Sequence, residues 1–262
     1  MSRLQGLLFA LATLVLVVVS TALFMKPWLP PLKSDRIAID KAIWLSLVVT
    51  GVVFILTNLL LAYFGWKFAD RPGAPRAAYW HDDPRLEWGW TLVTAAIMFA
   101  FLFGALNLWA KVNRDPPADS LLVEVTGQQF AWNVRYPGKD GILGRTNHKI
   151  ASQENPIGLD KDDPAAADDV LLLNQLYLPQ GRPVRVQVRS MDVIHSFFLP
   201  NFRVKQDAVP GMTTQIWFTP TQPGDFEIAC AEHCGLGHYR MRGQVHIVPE
   251  AGFEKALSEA SQ

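Results

Sequence analysis

Cysteine is scarce in this sequence, and features that mark several common protein classes are missing. Only two of the 262 residues are cysteines, which excludes a small domain held together by a disulfide framework. The formal net charge is zero and no basic patch stands out, so nothing in the charge points to nucleic acid. No Cys-x-x-Cys-His sequence occurs, which excludes a fused domain with covalently attached haem.

Long apolar runs, by contrast, are abundant in the N-terminal part of the chain. Half of all residues are hydrophobic, and three uncharged runs stand out: Leu7–Met25, Ala42–Trp66 and Trp90–Ala110. Each run is long enough to cross a hydrocarbon core of about 30 Å as a helix. Trp and Tyr residues cluster near the ends of the runs, as they do at membrane interfaces. We therefore predict two or three transmembrane helices.

The first apolar run has two interpretations. It follows Arg3, as the apolar region of a cleaved signal peptide would, but it is long for one and no clear cleavage site follows. A retained helix is the preferred interpretation. The predicted domains are residues 1–41 (a transmembrane helix or signal segment with an outer loop), 42–115 (a transmembrane helical hairpin) and 116–262 (an external domain).

The remainder of the chain has the pattern of an all-β domain. Short apolar segments alternate with Gly- and Pro-containing turns, which favours a β-sandwich or barrel. The predicted strands are Leu121–Thr126, Gln129–Tyr136, Val170–Leu178, Arg182–Arg189, Val193–Leu199, Thr213–Thr219, Asp225–Ala229 and Gly243–Val248. Gly127 separates the first two, and a short helix is predicted over Phe253–Ala260.

A long segment without apolar periodicity, residues 137–169, interrupts these strands. Its C-terminal end is rich in acidic residues: Asp160, Asp162, Asp163, Asp168 and Asp169. The simpler interpretation is a solvated surface loop. The alternative is a docking face that attracts a basic partner by charge.

Both cysteines lie in one short segment near the C-terminus. Cys230 and Cys234 are followed at short spacing by His238 and Met241. Thiolate, imidazole and thioether groups together suit copper, and two thiolates in one loop can bridge two metal ions. A disulfide between the cysteines and a zinc site are the alternatives.

One more ligand is needed from elsewhere in the chain. His195 lies between two apolar segments that read as strands and is the best candidate. His148, in the long loop, and His246, within a predicted strand, are alternatives. His233 lies inside the cysteine segment, where its neighbours already have the more favourable spacing.

These residues form a pattern that resembles subunit II of the haem-copper cytochrome c oxidases. The pattern is Cys230-Ala-Glu232-His-Cys234-Gly-Leu-Gly-His238-Tyr-Arg-Met241, with Asp192-Val-Ile-His195 upstream. The resemblance extends from about Ala42 to the C-terminus. It implies N-terminal transmembrane helices followed by an all-β, cupredoxin-like sandwich that holds a binuclear copper centre, copper A.

The resemblance also implies the metal ligands, which are His195, Cys230, Glu232, Cys234, His238 and Met241. The two cysteines would bridge both coppers, and each of the two histidines would bind one. Met241 and the main-chain carbonyl of Glu232 would be axial ligands, while the Glu232 side chain would reach a magnesium ion shared with subunit I. Asp192 would orient His195.

Two further positions gain a role from the resemblance. Glu87 precedes the third apolar run and reads simply as a helix-start carboxylate, which the helix dipole favours. In the pattern Glu87-x-x-Trp90-Thr91, which resembles the family, it would mark the mouth of a proton channel into subunit I. Thr94 stands where a proline is common in the family, so the local helix geometry is expected to differ.

The aromatic segment Gly127-Gln-Gln129-Phe130-Ala-Trp132 departs from the family pattern Gly-x-Gln-Trp-x-Trp. Phe130 occupies the position where a tryptophan receives the electron, and Trp132 takes the second, structural position. Core packing is the alternative role for both rings. Because Phe130 replaces the tryptophan, electrons would reach the metal by another path or come from an unusual donor.

The resemblance implies an electron-transfer subunit of a respiratory terminal oxidase. It would accept electrons from a c-type cytochrome and pass them to haem in subunit I, where oxygen is reduced to water. Subunits I and III, the donor and the membrane are the expected partners. The chain would cross a bacterial inner (plasma) membrane several times, with the loop Lys67–Glu87 inside and the C-terminal domain on the periplasmic side. The copper subunit of a nitric oxide reductase and a copper-binding or delivery module are the alternatives.

Overall fold

The fold is described from a computed structural model, which covers residues 2–71, 73, 75 and 79–261. The chain divides into two compact units. One unit contains Met1–Leu29 and Ala38–Val112, and the other contains Pro30–Ile37 and Asn113–Gln262. Part of the predicted inner loop, at positions 72, 74 and 76–78, lies outside the described residues, as do both terminal residues.

The first unit consists of three helices, each long and apolar enough to cross a membrane. Their bounds are α1 (Arg3–Phe24), α2 (Ile37–Lys67) and α3 (Pro84–Val112). All three begin earlier than the apolar runs, because helical hydrogen bonding continues into the polar residues that flank a membrane span. At α1 this extension starts with a capping box, in which Ser2 accepts from the Gln5 amide and the Gln5 side chain accepts from the Ser2 amide.

Helix α1 has one buried face. Its buried residues, Gly6, Ala10, Thr13 and Val17, recur at intervals of three and four and so form a single stripe. The hydroxyl of Thr13 donates to the carbonyl of Phe9 one turn earlier, which removes an unsatisfied polar group from the helix. Helix α3, in contrast, has no buried residue among its described positions.

The second unit is a sandwich of two five-stranded sheets. The strands are β1 (Leu121–Gln128), β2 (Ala131–Tyr136), β3 (Val170–Leu173), β4 (Gln175–Pro179), β5 (Val184–Ser190), β6 (His195–Leu199), β7 (Val204–Ala208), β8 (Thr214–Phe218), β9 (Gly224–Cys230) and β10 (Arg242–Val248). The first sheet has the order β3-β2-β1-β5-β8 and the second β4-β10-β9-β6-β7. Helix α4 (Phe253–Ala260) ends the domain at the predicted bounds.

Side chains from both sheets fill one core. Fully buried aliphatic residues of the central strands, such as Val125 and Val186, meet Leu176 and Ile228 of the other sheet. Strands β5 and β10 bury alternate residues, as expected when one face of a sheet is buried, whereas β1 and β2 are buried on both faces. The all-β sandwich predicted from the sequence is therefore confirmed.

Three strand predictions were wrong in detail. The predicted strand Val170–Leu178 is two strands in different sheets, because Asn174 adopts a left-handed backbone (φ 56°) that Asn tolerates better than most residues. Strand β7 was missed because its sequence, Val-Lys-Gln-Asp-Ala, is polar, as is common at a sheet edge. Gly127 lies within β1 rather than between the strands, since β1 continues to Gln128.

A buried ion network anchors the long segment 137–169 to the first sheet. Arg135 donates to Glu124 Oε1 (2.8 Å) and to Asp169 Oδ2 (3.0 Å), and its side chain is only 3% exposed. Its guanidinium also donates to the carbonyl of Gly144, within the segment. The segment is therefore fixed at its base by opposite charges, which explains how it packs without an apolar pattern.

The segment Pro30–Ile37, which precedes α2, packs on the sandwich. The hydroxyl of Ser34 donates to the carbonyl of Phe202 (2.7 Å). The guanidinium of Arg36 donates to the carbonyl of Trp217 and also lies over its ring, 5.0 Å from the centroid. This short connection thus belongs structurally to the β domain.

Candidate metal centre

The pairing of three strands brings the candidate ligands together. Strands β9 and β10 are antiparallel neighbours, so the segment that joins them, residues 231–241, is a loop at one end of the second sheet. Cys230 is the last residue of β9 and pairs with Phe197 of β6. His195, the first residue of β6, therefore starts beside the point where the cysteine loop begins.

The loop is compact because glycine lets another part of the chain approach its backbone. A Cβ atom at Gly237 would lie 2.4 Å from a ring carbon of Phe130, a distance that no side chain permits. His238 to Arg240 then form a single 3₁₀ turn, and the chain continues through Met241 into β10, which begins at Arg242. The sequence Gly-Leu-Gly thus serves to fold the loop back over its own cysteines.

The sulfur and nitrogen atoms of the loop converge. Cys234 Sγ lies 3.9 Å from Cys230 Sγ, 3.8 Å from His238 Nδ1 and 3.6 Å from Met241 Sδ. Cys230 Sγ also lies 3.1 Å from the main-chain oxygen of Glu232. Both cysteines are free thiols, which is the opposite of the disulfide alternative.

His195 completes this cluster from the neighbouring strand. A ring nitrogen of His195 and the two Sγ atoms all lie within 4.8 Å of one another. The ring is fully buried; its Nε2 is 2.8 Å from Asp192 Oδ1, and its Nδ1 has no hydrogen-bond partner. One nitrogen held by a carboxylate and the other left free is the usual state of a histidine that binds a metal.

Asp192 is suited to hold that histidine. Burial raises the pKa of its carboxyl, but hydrogen bonds from His195 and from the Gln129 and Val193 amides outweigh this effect and lower the pKa overall. The side chain is therefore an anion in the neutral pH range. An anion at Nε2 favours the tautomer whose proton is on Nε2 and whose Nδ1 carries a free electron pair.

The thiols require a cation to become ligands. Burial, together with the neighbouring Cys230, raises the pKa of the Cys234 thiol to about 11. A thiolate in this place is therefore costly unless a positive ion neutralises it, since only the thiolate binds metals well. Two thiols, two imidazoles and a thioether fit copper better than zinc, for which a fifth, thioether donor has no role.

Of the other histidines, His148 and His246 lie outside the ligand cluster, and His233 lies at its edge. His148 is exposed in a 3₁₀ turn of the long segment, and His246 stacks on Tyr177 and contacts Asp225 Oδ1 at 2.6 Å. Neither belongs to the described ligand cluster. His233 is exposed and meets His238 edge to face, with ring centroids 5.5 Å apart.

The two aromatic residues of the β1–β2 region occupy different environments. Trp132 is fully buried, and its ring lies edge-on to His195 and to Phe197, at centroid distances of 6.0 and 5.7 Å. Phe130 is partly buried, outside the strand, and covers the cysteine loop at Gly237. Trp132 thus touches a candidate ligand directly, whereas Phe130 touches the loop backbone.

Glu87 lies far along the chain from this cluster, in the first turn of α3 within the helical unit. Its side chain is exposed. This location agrees with a helix-start carboxylate, and its role in proton uptake stays a prediction.

The acidic end of the long segment is largely occupied with internal contacts. Asp160 and Asp163 both lie within 3.3 Å of the guanidinium of Arg145. Asp168 accepts from the Lys139 amide at 2.6 Å. These carboxylates fold the segment on itself, which favours the solvated-loop interpretation over a docking face.

Sequence reasoning missed Gln129. Its side-chain amide donates to the carbonyl of Cys234 (2.6 Å), and its backbone amide donates to Asp192 Oδ2 (2.7 Å). The signal was present, since Gln129 fills the Gln position of the Gly-x-Gln pattern. Only the aromatic positions of that pattern were interpreted.

Comparisons with known proteins show the family to which the chain is similar. Residues 121–248 match the family model described as cytochrome C oxidase subunit II, periplasmic domain. The chain is 40% identical over 238 residues to the alternative cytochrome c oxidase subunit 2 of Bradyrhizobium diazoefficiens, covering 90% of this chain and 85% of that protein. It is 33% identical over 235 residues to cytochrome c oxidase subunit 2 of Cereibacter sphaeroides, covering 83% and 75% respectively.

A solved structure is also similar. It is the crystal structure of the periplasmic domain of subunit II of cytochrome oxidase from Bradyrhizobium japonicum. That domain is 30% identical, with a TM-score of 0.41, and the match covers 56% of this chain and 96% of that one.

Proposed function

Because the chain belongs to the cytochrome c oxidase subunit 2 family, we propose that it is the copper-bearing electron-transfer subunit of a respiratory oxidase. Its soluble domain has the cupredoxin-like sandwich that the resemblance implied. Electrons would come from a c-type cytochrome and pass to haem in subunit I, where oxygen is reduced to water.

The convergence of free electron-pair donors at one end of the sandwich carries this proposal. Cys230 and Cys234, together with His195, His238 and Met241, would hold two copper ions. The Glu232 carbonyl, 3.1 Å from Cys230 Sγ, would be a further ligand. Two copper ions held in this way would supply reversible one-electron transfer.

The protein contributes rigidity and a dry environment. His195 is fully buried, and Cys234 and Met241 are 4% and 1% exposed, so water has little access to this side of the cluster. Asp192 fixes the tautomer and the orientation of His195. A ligand set that does not rearrange between oxidation states keeps the barrier to electron transfer low.

The remaining predicted roles extend the proposal to the complex. The exposed carboxylate of Glu232 would help bind magnesium at a contact with subunit I, and subunit III would be a further partner. The electron would be received by Trp132, which contacts His195, or by Phe130, which packs against the cysteine loop. Glu87 would take up protons on the inner side of a bacterial inner membrane, with the copper domain in the periplasm.

The alternatives from the sequence are not favoured. Both relatives compared above are named as cytochrome c oxidase subunits, rather than as nitric oxide reductase subunits or copper-delivery proteins. A delivery module also has no need of three membrane-competent helices and a buried, carboxylate-oriented histidine.

The test is the metal content and spectrum of the purified full-length chain, with Cys230→Ser and Cys234→Ser as variants. We expect two coppers per chain and an electron paramagnetic resonance signal shared equally by both. Each serine variant should lose that signal entirely, because serine cannot supply the thiolate that would help hold the copper ions. His148→Asn is the control, since this exposed histidine lies outside the cluster.

Binding of a single copper by the wild-type chain, or survival of the shared signal in either serine variant, would contradict the proposal.

A further inference from the structure

We propose that Gln129 is a positioning residue that joins the two halves of the copper centre. The halves are the loop from Cys230 to Met241 and the pair formed by Asp192 and His195. The inference rests on the proposed function, which it deepens by assigning a role to a side chain that is not itself a ligand.

The first half is held by the side chain. The Nε2 atom of Gln129 donates to the main-chain carbonyl of Cys234 at 2.6 Å. The next residue, Gly235, has φ 133°, and a Cβ atom there would lie 2.8 Å from the same Nε2 atom. The amide is therefore seated directly on the loop backbone, at the residue that carries the buried thiol.

The second half is held by the backbone of the same residue. The amide N–H of Gln129 donates to Asp192 Oδ2 at 2.7 Å, while Oδ1 of that carboxylate lies 2.8 Å from His195 Nε2. The two oxygens of Asp192 are thus divided between Gln129 and the histidine. A continuous series of hydrogen bonds runs from the Cys234 carbonyl through Gln129 and Asp192 to the His195 ring.

The hydrogen bonds of Gln129 connect the two sheets of the sandwich. Gln129 lies in the turn between β1 and β2 of the first sheet, whereas the cysteine loop joins β9 and β10 of the second. Phe130, the next residue in the turn, packs against Gly237 of the loop. The turn therefore spans the open end of the sandwich and sets the distance between Cys234 and His195.

Loss of the side-chain amide should loosen the cysteine loop and leave the fold intact. The residue is exposed, so replacing its side chain leaves no cavity in the core. Partners of this kind, which act through a ligand's neighbours, typically change metal affinity by about 10- to 100-fold. We expect an effect near the lower limit, because Gln129 acts through the carbonyl of Cys234 rather than through its sulfur.

The experiment compares three variants of the full-length chain in detergent. Gln129→Met keeps the length and removes the donor, Gln129→Lys restores a donor on a flexible stem, and Gln128→Met is the matched control. Gln128 precedes the turn and accepts from Asn133 of the same hairpin at 3.4 Å, away from the loop.

Three quantities are measured. The first is copper affinity by competition with a chelator, which should fall about tenfold in Gln129→Met. The second is the resonance signal of the bound copper, whose hyperfine splitting should change. The third is the alkylation rate of Cys234 in the metal-free chain, which should rise roughly fivefold, the factor that corresponds to one net hydrogen bond. Gln129→Lys should recover part of each change, and Gln128→Met should match the wild type.

The outcomes separate the two proposals. If the wild-type chain binds no pair of coppers, the proposed function fails, while the alkylation rates still report on Gln129. If it binds two coppers and Gln129→Met leaves affinity, signal and alkylation unchanged, the inference about Gln129 is wrong and the proposed function stands. Equal changes in Gln128→Met would also overturn the inference, because they would indicate a general effect of the hairpin.

Discussion

Two buried polar clusters lie in the same sandwich, and they differ in whether they contain charges of opposite sign. In the first, Arg135 lies between Glu124 and Asp169, and Arg189 Nη1 is 3.2 Å from Glu124 Oε2, so cations and anions neutralise one another. In the second, thiols, imidazoles and a thioether face one another without any cation among the described side chains. A cluster of opposite charges compensates itself, whereas a cluster made only of electron-pair donors is of the kind that binds a metal ion.

The state of individual atoms supports this difference. The guanidinium of Arg135 donates to two carboxylates and to the carbonyl of Gly144. Asp169 Oδ1 has no partner, but the other oxygen of that carboxylate accepts from Arg135, whereas His195 Nδ1 is buried without a partner and faces no opposite charge. Burial also raises the pKa of the Cys234 thiol, which keeps this group neutral until a cation arrives. Buried polar groups are normally satisfied, so an unsatisfied one beside free thiols indicates a ligand site.

The largest expected effect tests the self-compensating cluster. Arg135→Met removes the cation that faces the carboxylate of Asp169, whose side chain is 0% exposed, and leaves Glu124, 5% exposed, with Arg189 as its remaining cation. Breaking a buried pair in this way lowers the free energy of unfolding by about 3–5 kcal/mol. Chemical unfolding of the metal-free, full-length chain measures this loss.

Arg145→Met is the control for that experiment, because Arg145 is 72% exposed and its ion pairs should contribute about 1 kcal/mol or less. Similar losses in both variants would mean that the buried network is no more important than a surface pair.

The second prediction concerns the cluster of electron-pair donors. Asp192→Asn removes the negative charge beside His195 Nε2 and should weaken copper binding by about 10- to 100-fold. Stability of the metal-free chain should change much less than in Arg135→Met. Chelator competition and unfolding of the same samples measure the two effects.

A second contact between an aspartate and a histidine provides the control for Asp192→Asn. Asp225→Asn alters another aspartate–histidine contact, 2.6 Å from His246, but this carboxylate is 80% exposed and His246 does not belong to the described ligand cluster. Its copper affinity should equal that of the wild type. An equal loss of affinity in both variants would show that the effect is not specific to the metal centre.

The smallest expected effect concerns a single hydrogen bond, between Ser196 and Asp207. Ser196, next to His195 and fully buried, donates to Asp207 Oδ1 at 2.7 Å. This bond and a second from Lys205 lower the pKa of the Asp207 carboxyl. Ser196→Ala should lower the free energy of unfolding by about 1 kcal/mol at neutral pH.

The pH dependence of that loss follows from the direction of the shift. A carboxyl whose pKa is lower in the folded state stabilises the fold above its unfolded pKa, about 3.9. That contribution disappears as the pH falls through the folded pKa, so variant and wild type should converge in acid. Unfolding curves from neutral pH to below pH 3 test this, with the exposed pair of Ser152 and Glu154 as control in Ser152→Ala. A constant difference across the range would contradict the assignment.

The local properties of the sequence were sufficient to predict much of the fold. Apolar runs predicted all three membrane-competent helices, because a span of hydrocarbon requires a minimum length of apolar residues. Turn residues predicted the all-β domain for an equally local reason. Strand β7 escaped because an edge strand needs few apolar residues, and the break at Asn174 escaped because one left-handed residue leaves no periodic signal.

For the candidate site, too, the local sequence predicts one part and the tertiary structure supplies the other. The spacing from Cys230 to Met241 determines, by itself, that two thiols, an imidazole and a thioether share one loop, since few residues separate them. Their role as copper ligands stays a prediction. The sequence favoured His195 over His148 and His246, but its place beside the cysteines follows only from the tertiary structure, through the pairing of β6 with β9. The contact of Gln129 with Cys234 likewise exists only where two sheets meet, because residues 105 positions apart have no local signal of their proximity.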